Sequence, residues 1–164
     1  QALAGLVAEG DDFQWADPAW RRELADWMRS RRHHQGLSVP LPVAPLVRAL
    51  LRHANLGSGI AKQDRLLAEQ APALVVLGTA EDAPADHLQA GQALERLLLT
   101  AQRRGLQAGY LNQPAQVAAL RPRLRELLGD PGAPQVVLRL GYPARRLPAS
   151  PRLPVAEVLT GVAS

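Results

Sequence analysis

Between Pro72 and Tyr142, strand-length apolar runs alternate with residues at helical spacing, and this alternation restricts the chain to a mixed fold. Ala73-Leu74-Val75-Val76-Leu77-Gly78-Thr79 is a continuous apolar run of strand length, which predicts a strand covered on both faces. Glu81-Asp82-Ala83-Pro84 follows as a helix entry, where acids are favoured by the positive end of the helix dipole. A helix is predicted from Pro84 to Arg104. Leu88, Gly91, Leu94, Leu98 and Ala101 share one face of it, Leu97 and Leu99 widen that face, and Gly105 stops it. So wide a stripe predicts a helix packed centrally. Leu106–Leu111 then reads as a second short strand, followed by Asn112-Gln113-Pro114. A helix around Leu120–Leu128 ends at Gly129-Asp130-Pro131-Gly132, and Ala133–Leu140 is a third strand closed by Gly141-Tyr142-Pro143.

The rest is less regular. Residues 1–17 are mixed, with Gly10, Asp11 and Asp12 as punctuation. Asp17-Pro18 is a helix start, with Asp at the cap and Pro in the first turn, and Trp20, Leu24, Trp27 and Met28 recur at helical spacing to about Ser30. Residues 37–45 hold three prolines and predict extended loop. A short helix is expected from Pro45 to His53 with Leu46, Leu50 and Val47 inward, and residues 55–64 around Gly57-Ser58-Gly59 are expected to be mobile. The organisation is one unit: a helical and loop segment 1–71, a core 72–143 and an extended Pro-rich tail 144–164, regular at most over Val155–Leu159.

Composition narrows the function classes. At 164 residues the chain has room for one ordinary domain, and 47% apolar with 21% charged residues is a globular balance. No apolar stretch approaches the ~20 residues of a membrane-spanning helix. Nineteen cations against fifteen acids give +4, but all except Lys62 are Arg, scattered among acids, and aromatics are only 4%. That pattern offers no basic stacking face and argues against a nucleic-acid partner. Without Cys there is no thiolate nucleophile and no Cys-ligated metal. The chain opens on Gln1 with no basic-then-apolar signal segment, so it reads as a processed chain or a fragment, cytoplasmic in location.

Residues with chemistry of their own are few. His33 and His34 are adjacent, His53 and His87 isolated, and none has a partner at metal-ligand spacing. Ser58 lacks the frame of a nucleophile elbow. Asp11-Asp12 and Glu81-Asp82 are sequence neighbours whose side chains point apart, which makes them solvated caps rather than acid–base pairs. No glycine-rich dinucleotide or triphosphate loop occurs. No catalytic residue and no metal ligand is assigned.

The order and spacing of several segments nevertheless carry a likeness. They are Leu77-Gly78-Thr79, the run Glu81 to Arg96, Leu98-Leu99-Thr100-Ala101, Gly105-Leu106, Tyr110-Leu111-Asn112-Gln113-Pro114, Pro134 to Pro143, and Ser150-Pro151-Arg152-Leu153-Pro154-Val155. Together residues 73–158 resemble the C-terminal lobe of nitroreductase-fold, FMN-dependent proteins, in particular the two-lobed Acg-type nitroreductases. Glu23-Leu24-Ala25-Asp26-Trp27 also fits them. Two departures stand out. The family's Arg-Arg-Ser-x-Arg-like segment for the flavin phosphate has no counterpart in place, since Arg29-Ser30-Arg31-Arg32 follows a helix instead of preceding one. His87 stands where these proteins often carry Trp.

The resemblance implies an α+β fold: a nitroreductase-like lobe whose small, mostly antiparallel sheet is packed by helices around a central helix. It implies FMN as cofactor, NAD(P)H as electron donor, a small-molecule electron acceptor and hydride transfer through the flavin. Arg152 matches the C-terminal phosphate-binding Arg. Tyr110, Leu111, Asn112 and Gln113 match the strand end beside the flavin ring, and Gly141 belongs to the same cofactor-binding set. The partner implied is a second copy or an N-terminal lobe. The alternative is a non-catalytic lobe that binds or sequesters flavin, or the structural half of a two-lobed flavoprotein.

Overall fold

In the computed structural model, residues 1–30, 37–39, 41–129, 132–144 and 155 are described, those at 29, 30, 37–39 and 41 by backbone alone. Helices α1 (Ala2–Ala16), α2 (Pro18–Trp27), α3 (Ala44–His53) and α4 (Gly57–Glu69) precede the core. Between them, β1 (Met28–Ser30) pairs in parallel with β2 (Leu37–Val39), and a 3₁₀ turn spans Leu41–Val43. The core follows as β3 (Ala73–Thr79), α5 (Pro84–Arg103), β4 (Gln107–Tyr110), α6 (Gln113–Gln116), α7 (Arg121–Leu128) and β5 (Ala133–Gly141). The α+β class is as the sequence implied.

The last strand lies in the middle. The sheet order is β3-β5-β4, with β5 antiparallel to both neighbours. This corrects one expectation: β3 is an edge strand with Leu74 38% exposed, not a strand covered on both faces. The strand buried on both faces is β5, where Val137 and Leu138 point in opposite directions and both are fully buried. Val137 joins a cluster with Ala4 and Val7 of α1, Ala68 of α4, Leu111, Leu120 and Leu124. Removing such side chains from water is worth about 1.5–3 kcal/mol each, so this cluster anchors α1 and α4 to the sheet.

Helix α5 has the predicted boundaries and lies across all three strands. Only Ala90 and Ala101 are buried on it, however, while Leu88 is 73% and Leu99 61% exposed. The wide apolar stripe is covered on one side alone.

The N-terminal third departs most from expectation. Within residues 1–17, Ala2–Ala16 form a continuous helix through Gly10, Asp11 and Asp12. Gly10 is tolerated because α1 passes so close to α6 there that a Cβ would sit 2.5 Å from the Gln113 Cβ. Residues 55–64, expected to be mobile, lead into α4: the Asn55 side chain accepts from the Gly57 N–H at 2.8 Å, and Ser58 lies in the first turn. In α3, Leu46 and Leu50 are exposed and the inward set is Ala44, Val47 and Leu51. Ion pairs fix that rotation, since Arg48 and Arg52 both reach Asp26 on α2, at 3.2 and 2.5 Å. Asp17 caps α2 as read, accepting from the Ala19 N–H at 2.7 Å.

Candidate functional site

The chain leaves β4 through the turn that the sequence singled out. The Leu111 N–H donates to the Val137 carbonyl at 3.0 Å, and the Asn112 Oδ1 accepts from the Val137 N–H at 2.9 Å. One side chain thereby extends the ladder beyond the end of the strand and pins the turn to the central strand. Leu111 is buried in the core. Asn112 also receives the Ala115 and Gln116 N–H groups on its backbone carbonyl, which starts α6. Tyr110 alone of the four points outward, 57% exposed.

Gln113 turns inward. Its Nε2 donates to Asp11 Oδ1 at 2.9 Å and to Asp64 Oδ2 at 3.0 Å, tying α6 to α1 and α4. Asp11 is 3% exposed, and burial pushes its carboxyl up to about 6, with the neighbouring Asp64 and Asp12 charges adding to the rise and the Gln113 hydrogen bond opposing it. Asp11 Oδ2 and Gln113 Oε1 are both buried without a hydrogen-bond partner. Asp11 is therefore no solvated cap. The signal was in the spacing: Ala4, Val7, Asp11 and Trp15 fall on one helical stripe.

Gly141 is elsewhere. It pairs with Gln107, the first residue of β4, whereas Tyr110 pairs with Leu138. Three residues of strand put it about 10 Å from the turn. Arg152 lies outside the described residues. The structure thus gathers Tyr110, Leu111, Asn112 and Gln113 and holds Gly141 apart.

A second polar cluster closes the β3–α5 connection. Arg121 grips Asp82 with both nitrogens at 2.9 and 3.1 Å, Gln135 Nε2 donates to the same carboxylate at 2.9 Å, and His87 Nε2 lies 2.9 Å from it. These contacts, Arg121 first, hold the Asp82 carboxyl far below the usual carboxylate range. Asp82 is exposed, as the sequence suggested, but it also organises the loop. Among the described residues, no group of three or more His, Cys, Asp or Glu gathers at metal-binding distance, and no helix is long and apolar enough to cross a membrane.

Residues 41–142 match the family model described as Nitroreductase family, and the chain belongs to that family. It is 33% identical over 169 aligned positions to "Putative NAD(P)H nitroreductase Rv3131" of Mycobacterium tuberculosis (strain ATCC 25618 / H37Rv), an alignment covering 96% of this chain and 47% of that protein. "Putative NAD(P)H nitroreductase acg" from the same strain is 33% identical over 88 residues, covering 52% of this chain and 27% of its own length. The chain spans about half the length of the first of these relatives.

A flavin ring could use only what this turn leaves free. The Asn112 Oδ1 and the Gln113 Nε2 are engaged inside the protein, so their side chains are not spare ring contacts. The Leu111 N–H and the Asn112 and Gln113 carbonyls are engaged as well, so the parts of the turn that fit a flat ring are the exposed Tyr110 side chain and the Asn112 and Gln113 N–H groups.

Proposed function

We propose that the chain is a single flavin-binding lobe of an FMN-dependent oxidoreductase, which takes electrons from NAD(P)H and passes them to a small-molecule acceptor in the cytoplasm. The observation that carries this reading is the family match, because residues 41–142 include both Tyr110–Gln113 and Gly141. In this lobe the segment 1–71 buttresses the core 72–143, and the tail 144–164 brings Arg152 to the cofactor.

FMN, when bound, supplies the hydride chemistry, and the protein supplies position and surroundings. Tyr110 offers its ring to the flavin face, and the N–H groups of Asn112 and Gln113 are the backbone donors offered to the ring edge, Leu111 serving from the core as the anchor of the turn. That backbone is held rigid by the two hydrogen bonds to Val137. Gly141 lets the cofactor approach the end of β5. Arg152 takes the phosphate, for which the planar guanidinium gives two parallel charge-assisted hydrogen bonds. No side chain of this lobe is assigned as proton donor or nucleophile.

A second reading draws support from the exposed side of α5 and from the half-length coverage of the relatives. In it the chain is a structural or flavin-holding half, completed by a second copy or an N-terminal lobe packed on α5. Oxidation of NADPH by a nitroaromatic or quinone, followed with the FMN-loaded chain, separates the two. Turnover supports the enzyme; bound flavin without turnover supports the half.

A further inference from the structure

Arg139 sits on the central strand β5, opposite Leu74 of β3 and Gly109 of β4. Alternation along the strand places it on the same face as buried Val137. It is partly buried, and its side chain makes no hydrogen bond or ion pair with any described residue. Gly109 is what lets the guanidinium lie flat on the sheet. A Cβ at 109 would stand 2.8 Å from Arg139 Nε, 3.1 Å from Cζ and 3.2 Å from Nη2. The fold therefore holds a cation against the sheet, and no described residue gives it an anion. A guanidinium held partly out of water at the wall of an open cavity gains from an anionic partner, and here that partner would have to arrive from solution.

The guanidinium faces a cavity of ≈ 380 Å³ whose lining includes Gln70, Pro72, Gln107, Gly109 and Tyr142. No acid lines it among the described residues. Its volume falls within the ~300–1,000 Å³ usual for small-molecule sites. We propose that this pocket is an oxyanion site for the phosphate or carboxylate group of a small molecule. The planar fork of Arg139 grips two oxygens, and the amides of Gln70 and Gln107 offer further donors. The pocket lies at the Gln107–Gly141 end of β4, away from the Tyr110–Gln113 turn, and Gly141 is the one described residue of the proposed flavin set that also lines it.

Calorimetric titration of the full chain at low ionic strength, with inorganic phosphate and separately with acetate, tests the proposal and tells the two oxyanions apart. At least one probe is expected to bind saturably. Arg139→Gln should weaken that binding about ten- to a hundredfold, the loss of a charge-assisted contact. Gly109→Ala should weaken it too, by displacing the guanidinium, while Arg103→Gln on exposed α5 should not. Thermal unfolding of each variant confirms folding, and either pocket variant alone carries the test. FMN affinity should survive Arg139→Gln. No binding of either probe at millimolar concentration, or equal binding by folded Arg139→Gln, overturns the proposal. So does an equal loss of FMN and phosphate in that variant, which would make the pocket part of the flavin site.

Discussion

The amide of Gln113 bridges two carboxylates, with Nε2 2.9 Å from Asp11 Oδ1 and 3.0 Å from Asp64 Oδ2. One nitrogen spends both hydrogens on acids from different helices, so the turn after β4 is fixed to α1 and α4 at once. The same contact leaves two negative groups close together, with Asp11 the more buried and its carboxyl raised to about 6.

Stability should therefore depend on pH in a stated direction. The folded pKa of Asp11 lies above its ordinary value of 3.8. The protonated form is thus the one the fold favours, and its stabilisation is fully present below about pH 4 and lost as pH rises through about 6. The loss is on the order of 2–3 kcal/mol. Urea unfolding from pH 4 to 7 should show Asp11→Asn gaining on the wild type as pH rises. Parallel curves for the two proteins would contradict the assignment.

The close approach of α1 and α6 gives a second expectation. Gly10→Ala should destabilise by about 1–3 kcal/mol, because the new Cβ meets the Gln113 Cβ and backbone rather than a yielding side-chain tip. Gly5→Ala, on the same helix with nothing within 4 Å of its Cβ, should stabilise by about 0.5–1 kcal/mol. Opposite signs in thermal melts are the expected outcome, and stabilisation by both would show that the contact is not tight.

The exposed side of α5 gives a third expectation. Leu88 and Leu99 point the same way from the helix, and both are more than half exposed. Sedimentation of the chain at micromolar concentration should show association, abolished by Leu88→Glu with Leu99→Glu while the thermal midpoint is retained. A well-folded, non-associating chain of 17.7 kDa would rule out a second copy as that partner.

The core was more legible than its surroundings. The strands β3 and β5 and the helices α5 and α7 announce themselves through apolar runs and Gly or Pro boundaries, which are local signals. The edge position of β3 was not readable, because an apolar run gives burial potential and not the order of strands in a sheet. Helices α1 and α4 were missed because glycines and paired acids usually break or cap helices. Here Gly10 marks a helix contact, Asp11 meets a residue a hundred positions away, and Gly57 opens a helix with its N–H taken by the Asn55 side chain. The Tyr110–Gln113 turn came from family resemblance. The inward bond of Gln113 depends on tertiary packing and left no trace in its own segment.

On the proposed reading this lobe binds FMN, with the ring on the Tyr110 turn and the phosphate on Arg152. The most direct test of that reading is titration of the flavin-free chain with FMN and with riboflavin, for the wild type and Arg152→Ala, followed by flavin absorbance. A yellow complex with FMN is expected, with a ten- to hundredfold loss of FMN affinity in the variant, about 1.5–3 kcal/mol, and riboflavin affinity little changed. A wild-type chain that stays colourless after incubation with FMN, or equal losses for both flavins, would contradict it.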